Sequence, residues 1–340
     1  MVDPEGLGER SVATAIDPVG IVATELGLLV AGGSSGTIQR LKSDLLEVVA
    51  GRYGQNTAID PFARFRSKDF GTVGDIAYDA ETGKIFFSET TNHRLYEIST
   101  KDAGAGISPE EPETWTIEIL GGAAGEGFLD GQASNGRFRA PTGLFWDSAE
   151  RQLYVADTGN HVIRVVDVDA GTVSTVVGTP GVLGDQGDEG QANQALLQRP
   201  EAVTRCSNGD LYISDTGNHR LRRVSENVIT TVLGSGGQGR VGEGTPSNQG
   251  LLDSPRGVVC DARGDIYVTS RQVIGHLRAN ADGEVDGSGL VQTIYGASPR
   301  ESFPESVTRC LSGLTLVDQS TLNVTDSCTG LVIELSLSNI

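Results

Sequence analysis

SETTNHRL at residues 88–95, ADTGNHVI at 156–163 and SDTGNHRL at 214–221 are three copies of one segment. Each follows a short apolar run (85–87, 153–155 and 211–213) and leads into another. A strand, a tight polar turn and a second strand, recurring at long intervals, mark a repeat architecture and decide the fold ahead of any local reading. Repetition says less about function. Repeated residues tend to be scaffold, so chemistry is sought among residues that break the pattern.

Working outward from the copies, each unit holds four strands. The third unit has them at 143–146, 153–156, 162–166 and 173–177, closed by Gly178; the fourth at 202–205, 211–214, 220–224 and 228–233, closed by Gly234. Weaker copies flank these: one at 20–49 closed by Gly51, one opening at 75–78 and closing at 115–120, one running from 257–260 to 291–295, and one opening at 313–317. The opening positions Gly20, Asp75, Gly143, Ala202, Gly257 and Gly313 lie 55 to 68 residues apart. That exceeds the ~40–50 residues of common propeller repeats because glycine-rich segments join the units. Sheets arranged around an axis let neighbours cover the two apolar faces of every blade. The unalternating run 153–156 fits a strand buried on both faces.

The expected architecture is therefore all-β: a six-bladed propeller of four-stranded antiparallel blades at about 17–51, 73–122, 141–178, 200–234, 255–296 and 310–337, in one domain spanning 1–340. The last unit shows three strands only. Residues 11–16 offer the fourth, so that the two ends of the chain share one blade and close the ring.

The turns carry a resemblance to a known family. Asn92 and His93, Asn160 and His161, and Asn218 and His219 are similar to the turn that names the NHL-repeat β-propellers, as are Asp157 and Asp215 ahead of two of them. Residues 33–36, 270–273 and 326–329 depart from it. The resemblance covers roughly residues 10–337 and implies a platform used by binding proteins and a few enzymes. An amidating lyase of similar architecture holds zinc with histidines at the starts of its innermost strands. Here those positions are Val19, Gly74, Thr142, Glu201, Arg256 and Ser312, so that activity does not carry over. Calcium-dependent hydrolases on six-bladed propellers gather acidic and amide side chains round the axis; Glu201, with Asp17 and Asp75, would qualify. Opposed charges at Glu201 and Arg256 in adjacent blades point to an ion pair instead.

The copied histidines do not read as a metal site. Equivalent positions in successive blades are held apart by the radius of the ring, whereas zinc needs its ligands within about 2.1 Å. No metal is expected there; Asp157 and Asp215 accept turn N–H bonds while asparagine and histidine brace the hairpin. The joining segments 125–131, 184–190 and 234–239 lack the ending of a phosphate loop and the 1-3-5 spacing of a calcium loop. They read as turn-forming linkers, with weak calcium binding as the alternative. The Ser and His positions give no recognisable triad.

A net charge of −19 argues against nucleic acid as partner, and no apolar run approaches the ~20 residues of a membrane helix. Residues 1–10 show no secretion signal. The charge is uneven: residues 197–280 carry ten arginines, eight acids and no lysine. Arg220, Arg222 and Arg223 either decorate outer strands in ion pairs or form a docking patch for an anionic ligand or acidic partner.

Four cysteines allow three pairings. Cys310 and Cys328 fall at the same end of the last blade, and Cys206 and Cys260 on a common rim of two adjacent blades. That pairing alone keeps both bridges local; the alternative is four buried thiols. Bridges imply an exported protein. The expected function is a rigid extracytoplasmic binding module for a protein or a small anionic ligand, with Asp75, Thr142, Glu201 and Arg256 at the axial mouth and Arg220 and Arg222 in the patch. The alternative is a lyase or hydrolase working at that mouth.

Overall fold

The computed structural model describes residues 9–15, 17–42, 45–51, 70–101, 114–123, 125–239, 246–271, 273–295 and 310–338. Six antiparallel sheets follow one another along the chain. The first strand of each lies nearest the axis: Pro18–Thr24, Val73–Asp79, Pro141–Asp147, Ala202–Arg205, Pro255–Cys260 and Leu311–Asp318. Each packs on its counterparts in both neighbouring blades, and the last packs on the first. The chain is a six-bladed β-propeller.

A register shift recurs and shows how the repeat is built. The inner pair of strands shifts between Pro141 and Leu144, and likewise between Val73 and Ile76, Pro255 and Val258, and Leu311 and Leu314. The extra residues of this bulge are the opening positions, where backbones of adjacent blades crowd together. A side chain on Gly143 would run into Glu201 and Ala202, and one on Gly313 into Val19 and Gly20. Small residues there are required by close approach.

Blades 3 and 4 hold five strands rather than the expected four. Gly131–Gln132 pairs with Thr172–Val177, and Gly190–Gln191 with Val228–Leu233. The joining segments thus return to cover outer edges that would otherwise stay unpaired.

Apolar clusters fill the junctions between blades. Phe87 and Tyr96 anchor the first with second, Phe86 and Trp146 the second with third, and Tyr267 and Leu314 the fifth with sixth. Among the described residues the sixth-to-first junction is thinnest: its cluster holds Ala15, Ile21, Val30 and Val332. Buried Asn323 lies one strand in from there, at the position filled by Phe86, Tyr154, Tyr212 and Tyr267 elsewhere. At this seam Glu9–Thr14 pairs antiparallel with Leu331–Ser336, Glu9 opposite Leu335 and Thr14 opposite Leu331. The strand starts two residues before the expected 11–16, and residue 16 lies outside the described residues.

Candidate functional site

Residues 158–160 and 216–218 each form one turn of 3₁₀ helix, and the histidine that follows takes a left-handed backbone, φ 61° at His161 and 53° at His219. Asp157 closes the turn from inside. One carboxylate oxygen accepts the backbone N–H of Arg139 at 2.7 Å, and the other accepts the Asn160 amide at 2.8 Å and the Arg164 guanidinium at 2.9 Å. Asp215 repeats this with Gln198 N–H, Asn218 and Arg222. In the second blade Glu89 takes the aspartate's place and accepts from Gly71 N–H and Asn92.

The histidines do something other than brace their own hairpin. His93 Nδ1 accepts the N–H of Ala140 at 2.9 Å, His161 Nδ1 that of Arg199 at 3.2 Å, and His219 Nδ1 that of Ser254 at 3.1 Å. Each donor lies at the entry to the next blade, immediately ahead of Pro141, Pro200 or Pro255. A second latch runs beside the first. The Thr158 hydroxyl donates to the Pro200 carbonyl and Thr216 to Pro255, both at 2.6 Å, and Thr90 donates to Pro141 at 2.8 Å. The copied segment therefore fastens one blade to the next. Sequence reading missed these threonines, although they belong to the copied motif.

Arg222 is not a surface residue. It and Arg164, its counterpart one blade earlier, are completely buried. Arg222 joins Asp215 to Asp188, at 3.2 and 2.7 Å, and Arg164 joins Asp157 to Asp130. Phe128 and Phe138 sandwich the Arg164 guanidinium at 4.5 and 5.0 Å. A fully buried, doubly paired arginine cannot serve a docking patch, so that role is withdrawn for Arg222. Arg220 pairs with Asp185, and Arg223 with Asp210 and Glu284. In the joining segments, Asp130 and Asp188 face these guanidinium groups, so their carboxylates serve the arginines. Burial pushes the Asp157 and Asp215 carboxyls up to about 6 against the pull of amide, N–H and guanidinium. Both are ionised at neutral pH, matching their arginines.

At the axis, Asp75 stands where the other five blades carry glycine or alanine. One oxygen accepts the Leu144 N–H at 2.9 Å, and the other lies against Gly20, which leaves no room for a side chain there. Its own N–H donates to the Ser88 hydroxyl at 3.0 Å. Asp75 is half-buried, and loss of hydration pushes its carboxyl up to about 7, against two backbone N–H bonds that lower it. Glu201 and Arg256 pair at 3.5 Å. Burial nonetheless raises Glu201, outweighing the charges of Arg256 and Arg199. The Thr142 hydroxyl lies 2.6 Å from that of Thr158 and 3.1 Å from the Glu201 carbonyl. The mouth thus brings Thr142, Glu201 and Arg256 together, while Asp75 is held against Leu144 and Gly20. Among the described residues, no three His, Cys, Asp or Glu side chains gather as a metal site.

All four cysteines are bridged. Cys206–Cys260 ties the fourth blade to the fifth, with Cα atoms 5.6 Å apart, and Cys310–Cys328 ties the approach to the sixth blade to its turn, at 5.1 Å. No helix among the described residues is long and apolar enough to cross a membrane.

A family model described as NHL repeat matches residues 197–223. NHL repeat-containing protein 2 of Homo sapiens is 33% identical over 111 residues, covering 32% of this chain and 15% of that protein. Protein SUPPRESSOR OF QUENCHING 1, chloroplastic, of Arabidopsis thaliana is 28% identical over 172 residues, covering 50% of this chain and 16% of that protein. The matched stretch therefore spans no more than 16% of the length of either relative. Among solved structures, a protein of unknown function from Bacteroides thetaiotaomicron has a TM-score of 0.62 at 14% identity, covering 98% of this chain and 72% of its own. Virginiamycin B lyase from Staphylococcus aureus has a TM-score of 0.52 at 15% identity, covering 97% and 99%. At these identities the structures share the fold.

Proposed function

We propose that this chain, a member of the NHL-repeat β-propeller family, is a rigid binding module that works outside the reducing cytosol and presents a partner surface on one face of its ring. One observation carries the reading: the polar residues of the copied turns are engaged inside the scaffold, with His93, His161 and His219 each holding a backbone N–H of the next blade. That leaves recognition to the loops around them. Two disulfides support a non-reducing setting. Cross-linking mass spectrometry of the protein taken from its source tests the reading. Cross-links to a partner should cluster on a single face of the ring; cross-links spread evenly over all surfaces would count against it.

A second reading, a lyase or hydrolase at the axial mouth, draws on Asp75. A carboxyl pushed to about 7, at the one axial position that breaks the ring of small residues, has the character of a catalytic acid or base. Virginiamycin B lyase has the same fold. Turnover of an electrophilic or lactone substrate, lost in a folded Asp75→Asn variant, would establish this reading over the first.

A further inference from the structure

Exposed apolar side chains are not scattered evenly over this molecule. Five of the nine large ones among the described residues, Phe128, Leu129, Val182, Leu183 and Leu251, are 39–58% exposed and stand in the three stretches of chain that lead into and out of blades 3 to 5. Each stretch lies beside the turn of its blade: Gly127 accepts from the Asn160 amide, Gly184 from the Asn218 amide, and the Asp253 N–H donates to the Ser270 hydroxyl. The five therefore stand on the turn face of blades 3 to 5. Exposed apolar groups gathered on one face mark an interaction surface more than single ones do.

The charge of the same face differs from that of the body. Four arginines there meet carboxylates: Arg139 with Glu126, Arg220 with Asp185, Arg256 with Glu201 and Arg271 with Asp253. Arg137 and Arg199 are exposed, and among the described residues neither has a carboxylate within ion-pair distance. Arg199 is also held in place, since His161 fixes its backbone N–H. A protein of net charge −19 thus offers unpaired guanidinium groups beside its exposed apolar side chains.

We infer that the turn face of blades 3 to 5 docks an acidic segment of a partner protein that also carries apolar side chains. This rests on the binding-module reading and deepens it. The partner's apolar groups cover Leu183 and the other exposed apolar side chains of this face, and its carboxylates pair with Arg137 and Arg199. Guanidinium forks favour carboxylates, and arginine beside apolar groups is the usual composition of interface centres.

Selection of a random peptide library on the immobilised whole protein tests the inference. Enriched peptides should combine aspartate or glutamate with leucine, isoleucine or aromatic residues. Their affinity should fall about tenfold or more in Leu183→Ser and in Arg199→Ala, should weaken with added salt, and should be unchanged in Val317→Ser, at the far end of an inner strand. Arg199→Ala should fold, because Ala140 already holds the equivalent position with the same left-handed backbone; melting curves check this. Peptides that enrich but are basic, or that bind Leu183→Ser and Arg199→Ala as tightly as the parent, would overturn the inference and leave the module reading standing. Failure to enrich any peptide would count against both. Binding of vesicles of anionic phospholipid that is lost in the same two variants would assign the face to a membrane instead.

Discussion

At residue 161 a left-handed backbone and a ring nitrogen act together, since only that conformation aims Nδ1 at the next blade. Replacing the side chain tests both parts. His161→Ala removes the bond and keeps a poorly tolerated backbone, and should lower stability by about 1–3 kcal/mol. His161→Gly loses the bond but not the backbone freedom, so thermal melts should rank it between the parent and His161→Ala; the reverse order would show that the backbone contributes nothing. Asp75 sets a pH dependence. Its folded carboxyl is raised from 3.8 to about 7, so the folded state holds a proton that the unfolded state has released between those values. Stability from this group is greatest below about pH 4, declines as pH rises and is lowest above 7. Asp75→Asn should be more stable than the parent at pH 8 by on the order of 2–4 kcal/mol and equal to it at pH 4. Urea titrations at the two pH values decide this, and a difference that does not change with pH would contradict it. His161 acts the other way. Burial and the charges of Arg199 and Arg139 lower its pKa, so its contribution is lost as pH falls through the ordinary histidine range.

At the scale of the element, the unit is a strand pair, its turn and the joining segment that returns over the outer edge, closed on one buried arginine. Arg222 bridges the turn, through Asp215, and the joining segment, through Asp188. Arg222→Met should destabilise by about 3–5 kcal/mol, because it leaves Asp215 buried without its charge partner. Adding Asp215→Asn should restore part of the loss. Chemical denaturation of the single and double variants measures the coupling, and simple addition of the two losses would argue against this link. The strands and turns of this unit were legible in the sequence because apolar runs and copied turn residues repeat at fixed offsets. The role of Arg222 was not. An arginine on a strand reads as exposed unless its carboxylates are known, and Asp188 lies 34 residues away in a loop whose path no periodicity reveals. The histidines misled for a similar reason: the copies showed that they are scaffold, but not that their partners lie in the following blade.

For the whole molecule, six blades and their order could be read from spacing alone, and both local cysteine pairs from the ends of strands. The fifth strands in blades 3 and 4 could not, because two residues make no pattern. The axial mouth was half legible: opposite charges at Glu201 and Arg256 announced their pairing, while burial of Asp75 depends on packing by two other blades. Among the described residues the seam between the sixth and first blades has the least apolar contact, so the closing strand and the disulfide within the sixth blade matter most there. Removing residues 1–14 should unpair Leu331–Ser336 and lower the melting temperature, and Cys310→Ser with Cys328→Ser should cost up to about 3 kcal/mol; melts matching the parent in both would show that the seam stands without them. The central claim is that the copied residues hold the ring while the loops beside them bind. It is tested most directly by one variant carrying His93→Ala and His219→Ala, measured for both melting temperature and affinity for a selected acidic peptide at a temperature where the variant is folded. The account predicts a lowered melting temperature with affinity within about threefold of the parent. An unchanged melting temperature with affinity abolished would contradict it.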